Sequence, residues 1–97
     1  MIPAVFRKAA RLDYVAAVRW YERRRAGLGA ESAAEIRRTL MAGCESPERT
    51  PVMEAGIRRI KARRFPFYIF YRLRRGHFVV LAIFHARRNP AVWRKRF

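Results

Sequence analysis

The chemistry this sequence could support centres on His85. His85-Ala86-Arg87-Arg88 sets an imidazole, which titrates near neutrality unaided, beside two guanidiniums able to clamp a phosphate. RNA cleavage at a 2′-hydroxyl needs a base for the hydroxyl proton, a cation for the phosphorane charge and an acid for the leaving oxygen. No carboxylate follows Glu54, so in the later half these roles fall to His85, Lys61, Tyr71 or Tyr68, and the arginines. The competing reading makes His85 a core-edge residue bonded to backbone, on a strand face with Val79, Leu81 and Ile83. In that case the strand end does no chemistry.

A second group could bind rather than react. Arg58, Arg59, Lys61, Arg63 and Arg64 form a basic run, and Arg87, Arg88, Arg94 and Arg96 add to it near the end of the chain. Such a set grips nucleic-acid phosphate or an acidic protein, or is a solvated edge. Tyr68 and Tyr71 could stack on bases, or be core. Trp93 suits the open end of a sheet or a partner contact, and Trp20 suits helix–sheet packing. Asp13 and Glu22 read as helix-surface charges. No acidic pair or His/Cys cluster suggests a metal site, and no motif calls for a cofactor. Cys44 reads as a small apolar residue.

These residues sit in a chain of 97 with 23 Lys and Arg against seven Asp and Glu, a formal net charge of +16. Residues 1–57 hold ten basic and all seven acidic side chains; residues 58–97 hold thirteen basic and no acidic ones. An all-basic folded half projects a positive field suited to nucleic acid or an acidic partner. Twenty of the basic residues are Arg, which a GC-rich genome also produces without selection for binding. The length predicts one domain over 1–97. A single Cys excludes a disulfide framework and a Cys-rich zinc site. No apolar run approaches a membrane span, and the first residues lack a charged leader, so a cytoplasmic protein with no membrane partner is expected.

The positioning elements follow from periodicity. Ile2–Phe6 is a short extended segment. Tyr14, Ala17, Val18 and Tyr21 recur at helical spacing and predict a helix from Lys8 to about Arg25, stopped by Gly27-Leu28-Gly29. Ala33, Ile36, Leu40 and Gly43/Cys44 predict a second helix over about 30–44, antiparallel to the first. Pro47, Pro51 and Gly56 mark a loop. Ile57–Ala62, Phe65–Leu73 and Phe78–His85 then read as strands. Phe67, Ile69, Tyr71 and Leu73 share one face of the central strand. In the last strand, strict alternation groups Val79, Leu81, Ile83 and His85 against Phe78, Val80, Ala82 and Phe84. Arg87–Phe97 reads as a basic tail with a short turn or strand. The expected fold is α+β, in the order β-α-α-β-β-β, with a helical hairpin on one face of a small antiparallel sheet. The other face, aromatic and rimmed with basic residues, must curl on itself or be covered by a partner, which predicts poor solubility of the isolated chain.

Several marks then carry a resemblance. They are Asp13, Trp20-Tyr21-Glu22, Gly27-Leu28-Gly29, Arg64-Phe65-Pro66-Phe67-Tyr68-Ile69-Phe70-Tyr71-Arg72, Val80 through Pro90, Trp93 and Arg96. In their order and spacing the chain resembles the RelE/ParE superfamily of toxins from type II toxin–antitoxin modules, and its ParE-like, plasmid-stabilisation branch in particular. The resemblance implies the fold just read and a toxin held inactive, as a hetero-oligomer, by an antitoxin with an acidic, partly disordered tail. Tyr68 and Trp93 become candidate antitoxin contacts, and the basic run a grip on that tail or on an acidic gyrase surface. ParE-like members inhibit DNA gyrase; RelE-like members cut mRNA on the ribosome. The latter tend to use Lys, Arg and a late Tyr, and here no Tyr follows Tyr71. The nuclease alternative would rest on His85, Arg87, Arg88, Lys61 and Tyr71. A third possibility is a non-toxic antitoxin-binding or repressor module.

Overall fold

The computed structural model describes residues 1–87 and 90–97, with Pro90 and Trp93 described for backbone alone. Its elements are β1 (Ala4–Phe6), α1 (Lys8–Arg24), α2 (Leu28–Glu45), β2 (Ile57–Lys61), β3 (Phe67–Arg74), β4 (His77–His85) and α3 (Pro90–Arg96). The two long helices are joined by a turn that Glu22 organises. Gly27 takes a left-handed φ of 90°. That turn brings its N–H, and that of Gly29, onto the Glu22 carboxylate at 3.1 and 2.9 Å. The last full turn of α1 therefore caps the first turn of α2, satisfying donors that have no partner inside the helix. A side chain at Gly29 would press on Glu22 and on the Val18 carbonyl. Glu22 is thus no free surface charge.

The sheet has the order β1-β4-β3-β2. β2, β3 and β4 are antiparallel, as the sequence predicts, but β1 lies parallel to β4, so the sheet is mixed. Parallel neighbours need a long crossover, and here both helices and two strands intervene. The helices cover one face. Ile36 from α2, Ile69 and Tyr71 from β3, and Phe78 and Val80 from β4 are fully buried there. Phe78 stacks on Tyr71 with ring centroids 4.0 Å apart, and it reaches that place over Gly43, where a Cβ would stand 2.7 Å from the Phe78 ring.

β4 does not alternate strictly. Tyr71 pairs with Val80 and Phe70 with Ala82, so Leu81 is an extra residue, a β-bulge. The bulge reverses the face assignment beyond it. Phe78, Val80, Ile83 and His85 share the helix side; Val79, Leu81, Ala82 and Phe84 share the other.

The second face is not open. Phe70, Phe84, Leu81, Ala82 and Ile57 are buried there under Val92 of α3 and Met53 of the loop before β2. Phe97 closes on Phe70 with centroids 6.0 Å apart, and the Arg96 guanidinium lies 4.8 Å from the Phe84 ring. The segment expected to be a basic tail with a turn or strand is a helix, and it supplies the cover that was expected from the sheet's curl or from a partner. Among the described residues, no helix is long and apolar enough to cross a membrane.

Candidate functional site

Of the proposed chemical residues, the structure keeps His85 beside Arg87 and sets Lys61 and Tyr71 apart from them. Tyr71 is buried. Its hydroxyl donates to the Pro47 carbonyl at 2.9 Å and lies 2.6 Å from the Thr50 hydroxyl, fixing the loop after α2 on the sheet. It is a core residue and has no access to a substrate. His85 stands exposed at the end of β4, and its Nδ1 accepts the Arg87 backbone N–H at 3.1 Å. The backbone bond of the competing reading is present, yet the ring remains accessible. His85 helps line a cavity of about 460 Å³ beside α1, with Asp13, Trp20, Tyr21, Phe67 and Ile83. Lys61 lines a different cavity of about 410 Å³ beside α2, with Arg38, Arg49 and Arg63. Arg87 is exposed, and Arg88 lies outside the described residues.

The basic run divides into pins and free heads. Arg58 is a pin: its guanidinium donates to the carbonyls of Glu48 and Thr50, which removes it from the proposed binding set. Arg64 pairs with Glu31, and Arg94 with Glu54 at 3.0 Å. Arg96 pairs with Asp13 at 3.0 Å and also donates to the Leu81 carbonyl, so it is a clasp for α3 rather than an open contact. Arg59 lies 4.3 Å from the Tyr68 ring on the α3 side of the sheet, leaving Tyr68 half-covered. Lys61 and Arg63 are exposed. Arg38, Arg49 and Arg63 line the α2 cavity with one carboxylate, Glu35, and Lys61 borders it from the edge strand β2, paired with Tyr68.

Glu35 is the residue that sequence reasoning missed. Buried on α2, it accepts the backbone N–H groups of Arg63 and Arg64 at 2.9 Å each and the Arg38 guanidinium at 2.8 Å. The Arg64 N–H and its neighbours hold the carboxyl below the ordinary carboxylate range despite burial. Glu35 therefore fixes the β2–β3 loop, which presents Arg63. Glu31 is held low in the same way, chiefly by its hydrogen bond from Arg64. Asp13 was read as a surface charge. It accepts the Ile83 N–H at 3.0 Å beside the β4 bulge, as well as pairing with Arg96. A carboxylate in a helical stripe gave no sign of either partner, because both lie at least 70 residues away.

An apolar surface is exposed, but not on the sheet. Leu12 is 62% and Trp20 40% exposed, and with Ala16 they follow the i, i+4, i+8 spacing of one face of α1. Trp20 meets Tyr21 edge-on and carries Arg24 on its face at 4.2 Å. The helix–sheet packing expected of Trp20 is made by Tyr21, whose ring meets Phe65 at 4.8 Å and whose phenol burial pushes its pKa up. The stripe borders the His85 cavity. Cys44 is buried as expected, and burial raises its thiol pKa. The side chain of Trp93, proposed as a partner contact, lies outside the described residues.

The comparisons agree with this architecture. A family model described as the ParE toxin of the type II toxin–antitoxin system parDE matches residues 4–90. The fold is similar to the chromosomal ParDE system of P. aeruginosa, with a TM-score of 0.59 at 18% identity over 88% of this chain and 96% of that one. It is similar to the isolated E. coli RelE toxin, with a TM-score of 0.67 at 15% identity over 98% and 95%. It is also similar to the intact E. coli RelBE toxin–antitoxin complex, with a TM-score of 0.66 at 16% identity over 91% and 100%. No curated protein matches the chain in sequence.

Proposed function

The chain belongs to the ParE toxin family of type II toxin–antitoxin systems, and from that premise we propose that it acts in the cytoplasm by binding DNA gyrase, without chemistry of its own. The observation that carries this reading is the dispersal of the would-be catalytic groups. His85 and Lys61 line separate cavities, and the Tyr71 hydroxyl is consumed inside the core. General acid–base catalysis needs its groups within hydrogen-bond reach of one substrate. A binding toxin needs an exposed, correctly charged surface, which the Lys61–Arg63 side of the molecule provides.

The antitoxin partner follows from two surfaces of opposite character. An apolar segment of the antitoxin docks on the Leu12–Ala16–Trp20 stripe and the adjoining cavity. Its acidic tail reaches the basic cavity beside α2. This moves the antitoxin contact from Tyr68, where the chain covers itself, to α1. Leu12→Glu is expected to weaken antitoxin binding at least tenfold in a titration of the purified pair, with the fold unchanged by circular dichroism. Retained affinity would remove α1 from the interface.

The target is tested directly. Purified toxin added to gyrase is expected to inhibit supercoiling, and His85→Ala to inhibit equally. The fold likeness to E. coli RelE and the exposed imidazole beside Arg87 support the second reading, a ribosome-dependent mRNA endonuclease. Unimpaired supercoiling, together with mRNA ends mapped at ribosome-positioned codons and lost in His85→Ala, would replace the first reading by the second.

A further inference from the structure

The two long helices show solvent a face that lines neither cavity described above. On α1, Lys8, Leu12, Val15, Arg19 and Arg23 recur at i, i+4, i+7, i+11 and i+15, one row along the outside of the helix, and all are exposed. On α2, Ala30, Ala34, Arg37 and Met41 repeat that spacing, and Arg37 and Met41 are exposed. Both helices lie on one face of the sheet, so the two rows form a single outward surface. Its apolar members are open to water: Leu12 is 62%, Met41 55% and Val15 37% exposed. Its charged members, Lys8, Arg19, Arg23 and Arg37, are all basic, and none makes an ion pair among the described residues.

The acids of the two helices are committed elsewhere. Asp13 is held by the Ile83 N–H and Arg96, and Glu22 by the Gly27 and Gly29 N–H groups. Glu31 is held by Arg25 and Arg64, and Glu35 by the β2–β3 loop. The remaining carboxylate of the pair, Glu45, lies at the last position of α2. Single exposed apolar residues are ordinary on a protein surface. Here they alternate with unpaired cations along two adjacent helices.

We propose that the outer face of the α1–α2 hairpin docks on an anionic lipid surface. A bilayer interface offers negative headgroups to the cations and an apolar boundary to Leu12, Val15 and Met41, both in one plane. Long basic side chains reach headgroups while their stems lie along the apolar residues. A nucleic acid satisfies the cations and leaves the apolar residues in water. An acidic peptide is better served by a groove, and the basic cavity beside α2 offers one off this face. The sequence predicts no membrane partner because no apolar run is long enough to span; a hairpin lying on the surface needs no span. Lipid docking is independent of whether gyrase or the ribosome is the target. Leu12 also belongs to the stripe proposed for the antitoxin, so on that reading bound antitoxin keeps the toxin off the lipid.

The test is flotation of the full chain, at fixed ionic strength, with vesicles of phosphatidylglycerol and phosphatidylcholine in equal parts, against phosphatidylcholine alone. Binding to the anionic vesicles and not to the neutral ones is expected. A chain of net charge +16 is drawn to any anionic surface, so position and apolar contact decide. Arg19→Gln with Arg23→Gln is expected to weaken binding by at least about tenfold. Arg74→Gln with Arg75→Gln removes the same charge at the exposed β3–β4 turn and is expected to leave binding nearly unchanged. Leu12→Gln with Met41→Gln keeps the charge, changes two exposed positions and is expected to weaken binding by about tenfold, with circular dichroism unaltered. Equal weakening by the two arginine pairs, or no effect of the Leu12 and Met41 changes, would mean adsorption by net charge alone and overturn the proposal. Lost affinity for a DNA duplex with vesicle binding intact, in the Arg19 and Arg23 variant, would assign the face to nucleic acid instead.

Discussion

On the helix side of the sheet, Tyr71, Phe78, Ile69 and Ile36 are fully buried beneath two long helices, and the Tyr71 hydroxyl and Glu35 carboxylate drawn inside have partners. On the other side, Phe70, Phe84 and Leu81 are covered by a seven-residue helix and a loop, held down by the ion pairs Arg96–Asp13 and Arg94–Glu54. The first side is closed by shape and apolar area. The second is closed by arginines at its rim. The difference teaches where charge is available. A side sealed by apolar packing releases its basic residues to solvent, as at Arg63. A side sealed by charge spends its arginines on itself, as at Arg94 and Arg96.

The contrast is open to measurement. Phe78→Ala should cost about 3–5 kcal/mol in urea denaturation, the range for emptying an aromatic site in a tight core. Phe84→Ala should cost less, because the short α3 can settle into the space; equal losses would break the comparison. Asp13→Ala should cost about 1–3 kcal/mol, since it strips the Ile83 N–H and Arg96 of one shared partner. It should also raise hydrogen exchange in α3 while leaving α2 protected. Smaller still is Arg94→Ala, where an exposed ion pair is removed, expected at under about 0.5 kcal/mol.

Acid sharpens the contrast from the helix side. The folded pKa of Glu35 is depressed, so the unfolded chain takes up its proton first as pH falls. The stability Glu35 contributes is complete above the ordinary carboxylate range and is lost as pH drops through its lowered folded value. Glu35→Gln should be less stable than the parent at neutral pH, and the gap should narrow in acid. A constant gap across that window would mean that the loop is not held by the charge.

Much of this was legible in the residues. The helical stripes around Tyr21 and Ile36, the alternation of Phe67, Ile69 and Tyr71, and the glycine turn all predicted what formed, because each is a local period set by one buried face. Three things were not. The bulge at Leu81 hides in a strand apolar on both sides, where a skipped residue leaves no mark in the alternation; His85 was therefore grouped with the wrong neighbours. The partners of Asp13, Glu22 and Glu35 are mostly backbone N–H groups, which every residue has and no sequence pattern announces. The α3 helix had one local signal, a proline at its first position, which is tolerated there because that N–H lies outside the helical ladder. At the candidate site, the basic residues were found by composition, but which were pins and which were free depended on loop carbonyls and on Glu35.

The parallel pairing of β1 with β4 joins Ala4 to Phe78 across nearly the whole chain. At about 5–20 residues per second, the roughly 70 residues between them take about 4–14 s to synthesise. The helical hairpin can form within that interval from contacts close in sequence, while β1 waits with one edge unsatisfied. A nascent chain therefore carries a folded hairpin, with the Leu12–Trp20 stripe already formed, before its sheet can close. The surface proposed above for the antitoxin is ready seconds earlier than the closed sheet.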